Sequence, residues 1–337
     1  MAFDIFSFFK QYKSSLSVGG RLEKLLGSLP VAVTDQPYYQ QSIKYTKVHE
    51  WELALDSLIE LADIENGNIP DGFWTEMWLI TAKIGSPTMR TICCKEIVLE
   101  LKRSRKIPKS ILKDKRIGSE IKDSAYRNIM FDNLRVARTK VSTSIFLNSD
   151  FKNSSAHKTS YVDCDFIQCK FYGRFGNLGD KTTYINCNFI NCDITGVTMF
   201  EGPNFINCSF SGRIKNAIIN NEAAHLWGGK CPIFENCDFK DAIFDNFNIY
   251  GSLGLNGSIL PKNGILKFRN DNNELFLKIR EMSAGIENDM MISIWALFSS
   301  KSGQNPIIFD ELCLNSFFDT ADAQQLFDSA TDRFRIM

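Results

Sequence analysis

Histidine is scarce in this sequence: His49, His157 and His225 are the only three among 337 residues. None stands in a His-x-x-x-His or His-Glu-x-x-His arrangement, which excludes the commonest helical metal sites. Long apolar runs are lacking as well. The longest, Met290 to Phe298, falls far short of the ~20 residues needed to cross a bilayer. The opening Met1-Ala2-Phe3-Asp4-Ile5-Phe6 has no basic stretch before its apolar residues, unlike a secretory signal. A cytoplasmic protein with no membrane contact is expected. There is no glycine-rich phosphate loop, and Gly228-Gly229 falls in an insertion described below. Nor is there an excess of charge. Lys+Arg and Asp+Glu are both 39, so the overall balance points to neither nucleic acid nor an anionic surface.

The charge is nevertheless uneven. Residues 1–85 hold 7 basic and 11 acidic side chains, 86–123 hold 11 and 5, 124–261 hold 13 and 12, and 262–337 hold 8 and 11.

What the sequence does have is a period of five. Stepping from Tyr126 gives Phe131, Val136, Val141, Phe146, Phe151, Ala156, Tyr161, Phe166 and Phe171. The frame resumes as Tyr184, Phe189, Ile194 and Met199, then as Phe205 and Phe210. After a longer insertion it returns as Phe234, Phe239, Phe244, Ile249, Gly254 and Ile259. Neither a helix nor a plain strand repeats at five, but a short strand followed by a tight corner does. Two residues earlier, on the same strand face, the side chains are small: Ser144, Ser149, Cys164, Cys169, Cys187, Cys192, Cys208, Cys237 and Ala242. Two residues later come Asn and Asp, as at Asn128, Asn133, Asn148, Asn153, Asp163, Asn186, Asn207 and Asn236. These residues favour turns and tolerate the left-handed region.

Four such units make a square coil. The segments beginning at Tyr161, Tyr184, Phe205 and Phe234 are 23, 21 and 29 residues apart, one coil plus insertions. Their Cys164, Cys187, Cys208 and Cys237 should then stack inside with Phe166, Phe189, Phe210 and Phe239 as a core ladder. The spacing Cys164/Cys169 and Cys187/Cys192 is the repeat period itself, so these cysteines read as packing residues rather than zinc ligands. No metal and no cofactor are expected.

Cys164-Asp165-Phe166, Cys187-Asn188-Phe189 and Cys237-Asp238-Phe239 carry a resemblance to the pentapeptide-repeat family over about residues 124–261. The resemblance implies a right-handed quadrilateral β-helix, with the insertions at 172–183 and 220–231 protruding as loops.

Residues 45–85 read as an αα-hairpin. Trp51, Leu55, Leu58 and Ala62 make one apolar stripe, with Glu50, Glu52, Asp56, Glu60 and Asp63 on other faces. After Gly67-Asn68, a second helix is expected with Asn68 as cap, Pro70 in its first turn, Phe73, Met77, Ile80 and Ile84 as its stripe, and Gly85 as its end. The run His49-Glu50-Trp51-Glu52-Leu53-Ala54-Leu55-Asp56-Ser57-Leu58 with this second helix resembles the small immunity proteins, MafI-like, that bacteria pair with polymorphic toxins. The resulting fold class is α+β: helical domain 1–85, basic helical connector 86–123, β-helix 124–261 and C-terminal helical cap 262–337. The connector is expected to cover the first coil and helices within 271–299 the last, because open strand edges invite further pairing. Cys93-Cys94 should lie on a helix with one residue buried.

Chemistry is thin elsewhere. His225 and Cys231 lie near one insertion, but nothing in the sequence activates the thiol. Asp163, Asp165, Asp238 and Asp241 are accounted for by corner positions. The run Lys102-Arg103-Ser104-Arg105-Lys106 lacks interleaved aromatics for base stacking, so nucleic acid is not an expected partner. No catalytic residue is assigned and the chain reads as a non-enzyme. The expected function is that of an immunity or antitoxin-like protein. Its Glu50, Glu52, Asp56, Glu60 and Asp63 would meet a protein partner, such as a toxin with a basic active site, by charge complementarity. The pentapeptide resemblance implies an alternative, a DNA mimic acting on a type II topoisomerase, and a non-inhibitory scaffold is a third reading.

Overall fold

The computed structural model describes residues 16–65, 69–103, 108–118, 120–173, 178–179, 181–195, 198–199, 203–216, 218–220, 234–245, 248–250, 257–261, 265–268 and 307–310, with positions 277, 325 and 328. Inward aromatic and aliphatic side chains build its larger core. Short strands follow one another round four sides, three of them (Asn188–Thr195, Ser209–Lys215 and Asp238–Asp245) running on through the first corner, and they pair in parallel with the equivalent strands of the neighbouring coil. On the first side Tyr126, Phe146, Phe166, Phe189 and Phe210 lie in register, with Phe239 next. The second side aligns Phe131, Phe151, Phe171, Ile194, Ile214 and Phe244. Val136 and Ala156 pair on the third. Val141, Tyr161, Tyr184, Phe205 and Phe234 align on the fourth.

Parallel register places like rings over like. Phe146–Phe166, Phe166–Phe189, Phe189–Phe210 and Phe210–Phe239 stack at 4.9, 4.9, 4.8 and 4.5 Å. These separations match the strand spacing, so each ring contacts its neighbours without distorting the ladder. Tyr161, Tyr184, Phe205 and Phe234 make a second column at 4.8–5.2 Å. The small residues two positions earlier are buried as expected. Ser144 and Ser149 each donate to the carbonyl two residues back, at 2.8 and 3.0 Å. Corner residues take the left-handed conformation, with φ of 56° at Asn128, 45° at Asn148, 53° at Asn186 and 53° at Asn207. Their amides chain together: Asn148 donates to Asn128 at 2.8 Å, Asn186 to Asp163 at 3.1 Å, and Asn207 to Asn186 at 3.2 Å.

The coil begins earlier than the aromatic period shows. Ser110–Lys113, Arg116–Ile117 and Ile121–Lys122 already pair with the coil above. This first coil uses Leu112, Ile117 and Ile121 inside, where no ring marks the period. The frame also shifts near the other end. Gly257 at φ 67° sits against Asn236, and Ile259 bridges Asp238. Ile259 is therefore 56% exposed, and Leu260 packs against the core in its place. Within the 172–183 insertion, Leu178 turns inward and is buried, and its carbonyl accepts from the Tyr184 hydroxyl at 2.9 Å. That part fills the third side above Ala156 rather than protruding. Positions 221–233, and 271–299 apart from Leu277, lie outside the described residues, as does nearly all of the expected cap. Of the 262–337 region, Ile265–Phe268 and Ile307–Asp310 form an antiparallel pair.

Among the described residues five α-helices precede the coil: α1 (Val18–Gly27), α2 (Pro37–Lys47), α3 (Trp51–Ile64), α4 (Phe73–Ile84) and α5 (Pro87–Arg103). The hairpin is α3 and α4, and Gly85 at φ 76° ends α4 as its position suggests. The start of α4 differs from expectation. Gly72, at φ 86°, is the cap, and Pro70 precedes the helix, with its carbonyl accepting from Phe73 N–H at 3.1 Å. Asn68 lies outside the described residues. The connector does not close the coil's end: α5 lies along a side of the coil. The reason is an apolar outer wall. Ile145, Leu147 and Ile167 point out from the first side and are fully buried in the helical core, with Ala125 and Ile190 packed against it. Each of these isoleucine and leucine side chains contributes about 1.5–3 kcal/mol when removed from water.

Phe189→Ala is expected to cost about 3–5 kcal/mol, read as a lower urea midpoint. Gly212→Ala should also destabilise, because a Cβ there would lie 2.2 Å from the Cys192 carbonyl at φ +98°. Unchanged midpoints would contradict the stacked register.

Candidate functional site

Three places on the described surface and interior hold chemistry. The first is α3. Its inner face buries Ala54, Leu55, Leu58, Leu61 and Ala62. Glu52, Asp56, Glu60 and Asp63, at i, i+4, i+8 and i+11, then fall on one outer stripe, with Glu50 just before the helix. All five are exposed, and none stands in an ion pair among the described residues. Leu53 and Ile64, three turns apart, edge the stripe at 45% and 57% exposure. The last turn of α3 has no basic residue, so Asp63 faces the negative end of the helix dipole uncompensated, an arrangement unfavourable to the helix itself.

The second place is the junction between helices and coil, centred on Asp165. Corner chemistry does not hold this carboxylate. In the structure it is a strand residue of the first side with 0% exposure. Trp78 Nε1 donates to its Oδ2 at 2.6 Å and Arg90 Nε at 2.9 Å, while Arg90 Nη2 binds Oδ1 at 2.5 Å. The Cys94 thiol donates to Oδ2 at 3.2 Å and the Asn188 amide to Oδ1 at 2.7 Å. Arg90 also lies 5.3 Å from the Trp78 ring centre, a cation–π arrangement. A buried carboxylate is tolerable only when paired and hydrogen-bonded throughout, and this one is. Lys83–Asp123 at 3.2 Å and Arg127–Glu100 at 2.6 Å tie the same two layers further out. Beside the junction a groove of 620 Å³ runs between the α4–α5 turn and the coil, lined in part by Arg90, Cys94, Asn186, Asn188, Asn207 and Ser209. Arg90 already spends its charge on Asp165, so the groove presents amides and hydroxyls.

The third place is the thiol interior. Cys164, Cys187, Cys208 and Cys237 are buried and unpaired, together with Phe166, Phe189, Phe210 and Phe239 of the ladder. Each thiol faces backbone: Cys187 lies 3.6 Å from the Tyr161 carbonyl, Cys208 3.5 Å from Tyr184 and Cys237 3.5 Å from Phe205. Burial pushes the Cys187 and Cys192 thiols well above their ordinary range, which removes the thiolate needed for nucleophilic work. Cys93 and Cys94 are both buried, not one of them. Cys94 faces Asp165 across the junction and Cys93 lies against Thr81; burial pushes Cys93 up to about 12. No cluster of three or more metal-ligating side chains occurs among the described residues. Cys231 and His225 lie outside them.

The arrangement is a four-sided parallel coil of five-residue units. No family model matches the sequence, and no curated protein matches it. Among solved structures, a trypsin-treated form of QnrB1, a plasmid-mediated fluoroquinolone resistance protein, is similar at 13% identity and a TM-score of 0.22. The similarity covers 50% of this chain and 99% of that one.

Corner chemistry does not account for Asp165; the signal that could have found it is the apolar set Ile145, Leu147 and Ile167 flanking the inward rings of the same side.

Asp165→Ala should cost about 3–5 kcal/mol, because the buried Trp78 N–H loses its acceptor and the largely buried Arg90 loses its counter-charge. The double change Asp165→Leu with Arg90→Met should recover part of that loss in thermal melts, the Trp78 N–H staying without an acceptor. Mass-mapped alkylation at pH 8 should leave the eight described cysteines unmodified until the chain unfolds. Rapid native labelling of Cys187 or Cys208 would show the coil to be open.

Proposed function

We propose that this chain is a non-catalytic protein-binding protein whose α3 stripe docks on a basic protein surface, in the manner of an immunity or antitoxin-like protein. The observation that supports this reading is the combination on one helix of unpaired carboxylates and an exposed apolar edge. Leu53 and Ile64 supply the desolvated anchor that an interface needs. Glu52, Asp56, Glu60 and Asp63 supply steering and selectivity against a positive surface. Fully solvated helix faces have little use for Leu53 and Ile64 or for acids in the last turn. A basic, nucleic-acid-cleaving toxin is the kind of partner that fits. The topoisomerase-directed DNA mimic asks for a negative coil exterior, and the third and fourth sides oppose it: Arg116, Arg135, Arg138, Lys140 and Lys158 are all exposed there.

Site-specific photo-crosslinking from position 56 in the native cell should capture the partner. Against that partner, Glu52→Lys, Asp56→Lys and Glu60→Lys together should slow association about tenfold or more at low salt, with the difference shrinking as salt screens it. Wild-type association rates in the triple variant would remove the proposal.

A further inference from the structure

One corner of the coil departs from the other three. At the corners after the first, second and fourth sides, left-handed positions are held mainly by Asn and Asp, which form the amide ladders described above. After the third side the same backbone position is held by Arg138, Lys158 and Lys181, at φ 53°, 50° and 52°. Long basic side chains gain nothing from that conformation, which Asn and Asp adopt most readily. They also stack like charge on like charge at the strand spacing, since the fourth-side register aligns Ser160 with Lys140 and with Thr183. The pattern extends onto the flanking sides. Arg116 and Arg135 are directly opposed in register on the third side, an arrangement that disfavours pairing. Lys122 and Lys140 project from the fourth.

Arg116, Arg135, Arg138, Lys140 and Lys158 are exposed, and none of these five is in an ion pair among the described residues. No acid occurs within 135–143 or 155–162; Glu120, just before the Ile121–Val141 pair, lies beside Lys140 in register without forming an ion pair among the described residues. The third side is opposite the helical layer in the coil, so the helices leave it open.

We infer that this corner, with the third and fourth sides that meet at it, binds the phosphate backbone of duplex nucleic acid. Five unpaired cations over three successive coils, two on the third side, two at the corner and one on the fourth side, suit a polymer with regularly spaced charge. None of the exposed large hydrophobic residues lies on this ridge, so a membrane would find no apolar anchor there. Among the described residues no Phe, Tyr or Trp ring is exposed between the cations, so single strands would find no stacking platform there. Contacts to backbone alone make the binding independent of sequence. The surface is separate from the α3 stripe and from Asp165, and the inference does not rest on the proposed function.

The test uses the full chain and a labelled 20-base-pair duplex of arbitrary sequence, titrated from 50 to 200 mM salt. Five phosphate contacts predict a slope of log K against log salt near −4.5, or about a 500-fold loss over that range. Arg138→Asn with Lys158→Asn restores the corner chemistry of the other sides, so its melting temperature should equal or exceed wild type. Its slope should fall to about −2.7, or about a 40-fold loss. Arg116→Gln with Arg135→Gln, changed on exposed strand positions, should weaken binding similarly and serves as the second variant. Phosphatidylserine vesicles and poly-glutamate are the competing ligands. Duplex binding that both variants weaken supports the inference. It is overturned by an unchanged slope in folded Arg138→Asn/Lys158→Asn, by no duplex binding at 50 mM salt, or by binding to vesicles or poly-glutamate in preference to duplex.

Discussion

The coil depends on one constraint: in a parallel ladder, a residue and its counterpart one coil away are held a single strand spacing apart. Aromatic rings stack comfortably at that separation, which is why Phe146, Phe166, Phe189, Phe210 and Phe239 can occupy one column. The same constraint fixes everything else at the equivalent positions. Amides that meet at this distance bond to one another, small thiols and hydroxyls meet backbone carbonyls, and like charges meet like charges. Favourable and unfavourable repeats are therefore both amplified, and a repeat that is unfavourable for folding calls for another explanation.

The helical layer is joined to the coil by a different kind of interaction. Ile145, Leu147 and Ile167 give it apolar area, which is nonspecific as to position. Asp165, met by Trp78, Arg90 and Cys94, gives it a unique seat. Removing either partner of such a pair leaves a buried charge alone, whereas an apolar pair of similar volume serves nearly as well for stability. The polar seat thus acts mainly on where the helices sit. The acidic stripe of α3 and the basic ridge of the third and fourth sides are then carried on two layers packed and hydrogen-bonded to one another.

The period of five was readable because three positions of each unit carried independent signals: a ring inside, a small residue two before it and an amide two after. Where a signal dropped out, so did the reading. The coil's start at Ser110 was hidden because Leu112, Ile117 and Ile121 stand where rings stand later. The shift at Ile259 was hidden because Gly257 resets the register in a way spacing cannot show. The α3 carboxylates were legible as exposed by helical periodicity, and the structure leaves all five at the surface. Asp165 was misread because a carboxylate beside an inward ring looks the same in sequence whether its side faces water or a second layer. The neighbours that distinguish the two cases, Trp78 and Arg90, lie 87 and 75 residues away.

Lateral docking of the helices has a consequence for how such a chain can change length. The wall they rest on takes in Ala125, Ile145, Leu147, Ile167 and Ile190, four successive coils of the first side. A coil added or deleted within that stretch would carry Asp165 away from Arg90 and leave an isoleucine facing water. Beyond Ser209 the first side has no such wall to keep in step. The helical layer therefore acts as a gauge for the early coils, and lengthening by whole turns is open to the molecule only toward its later end.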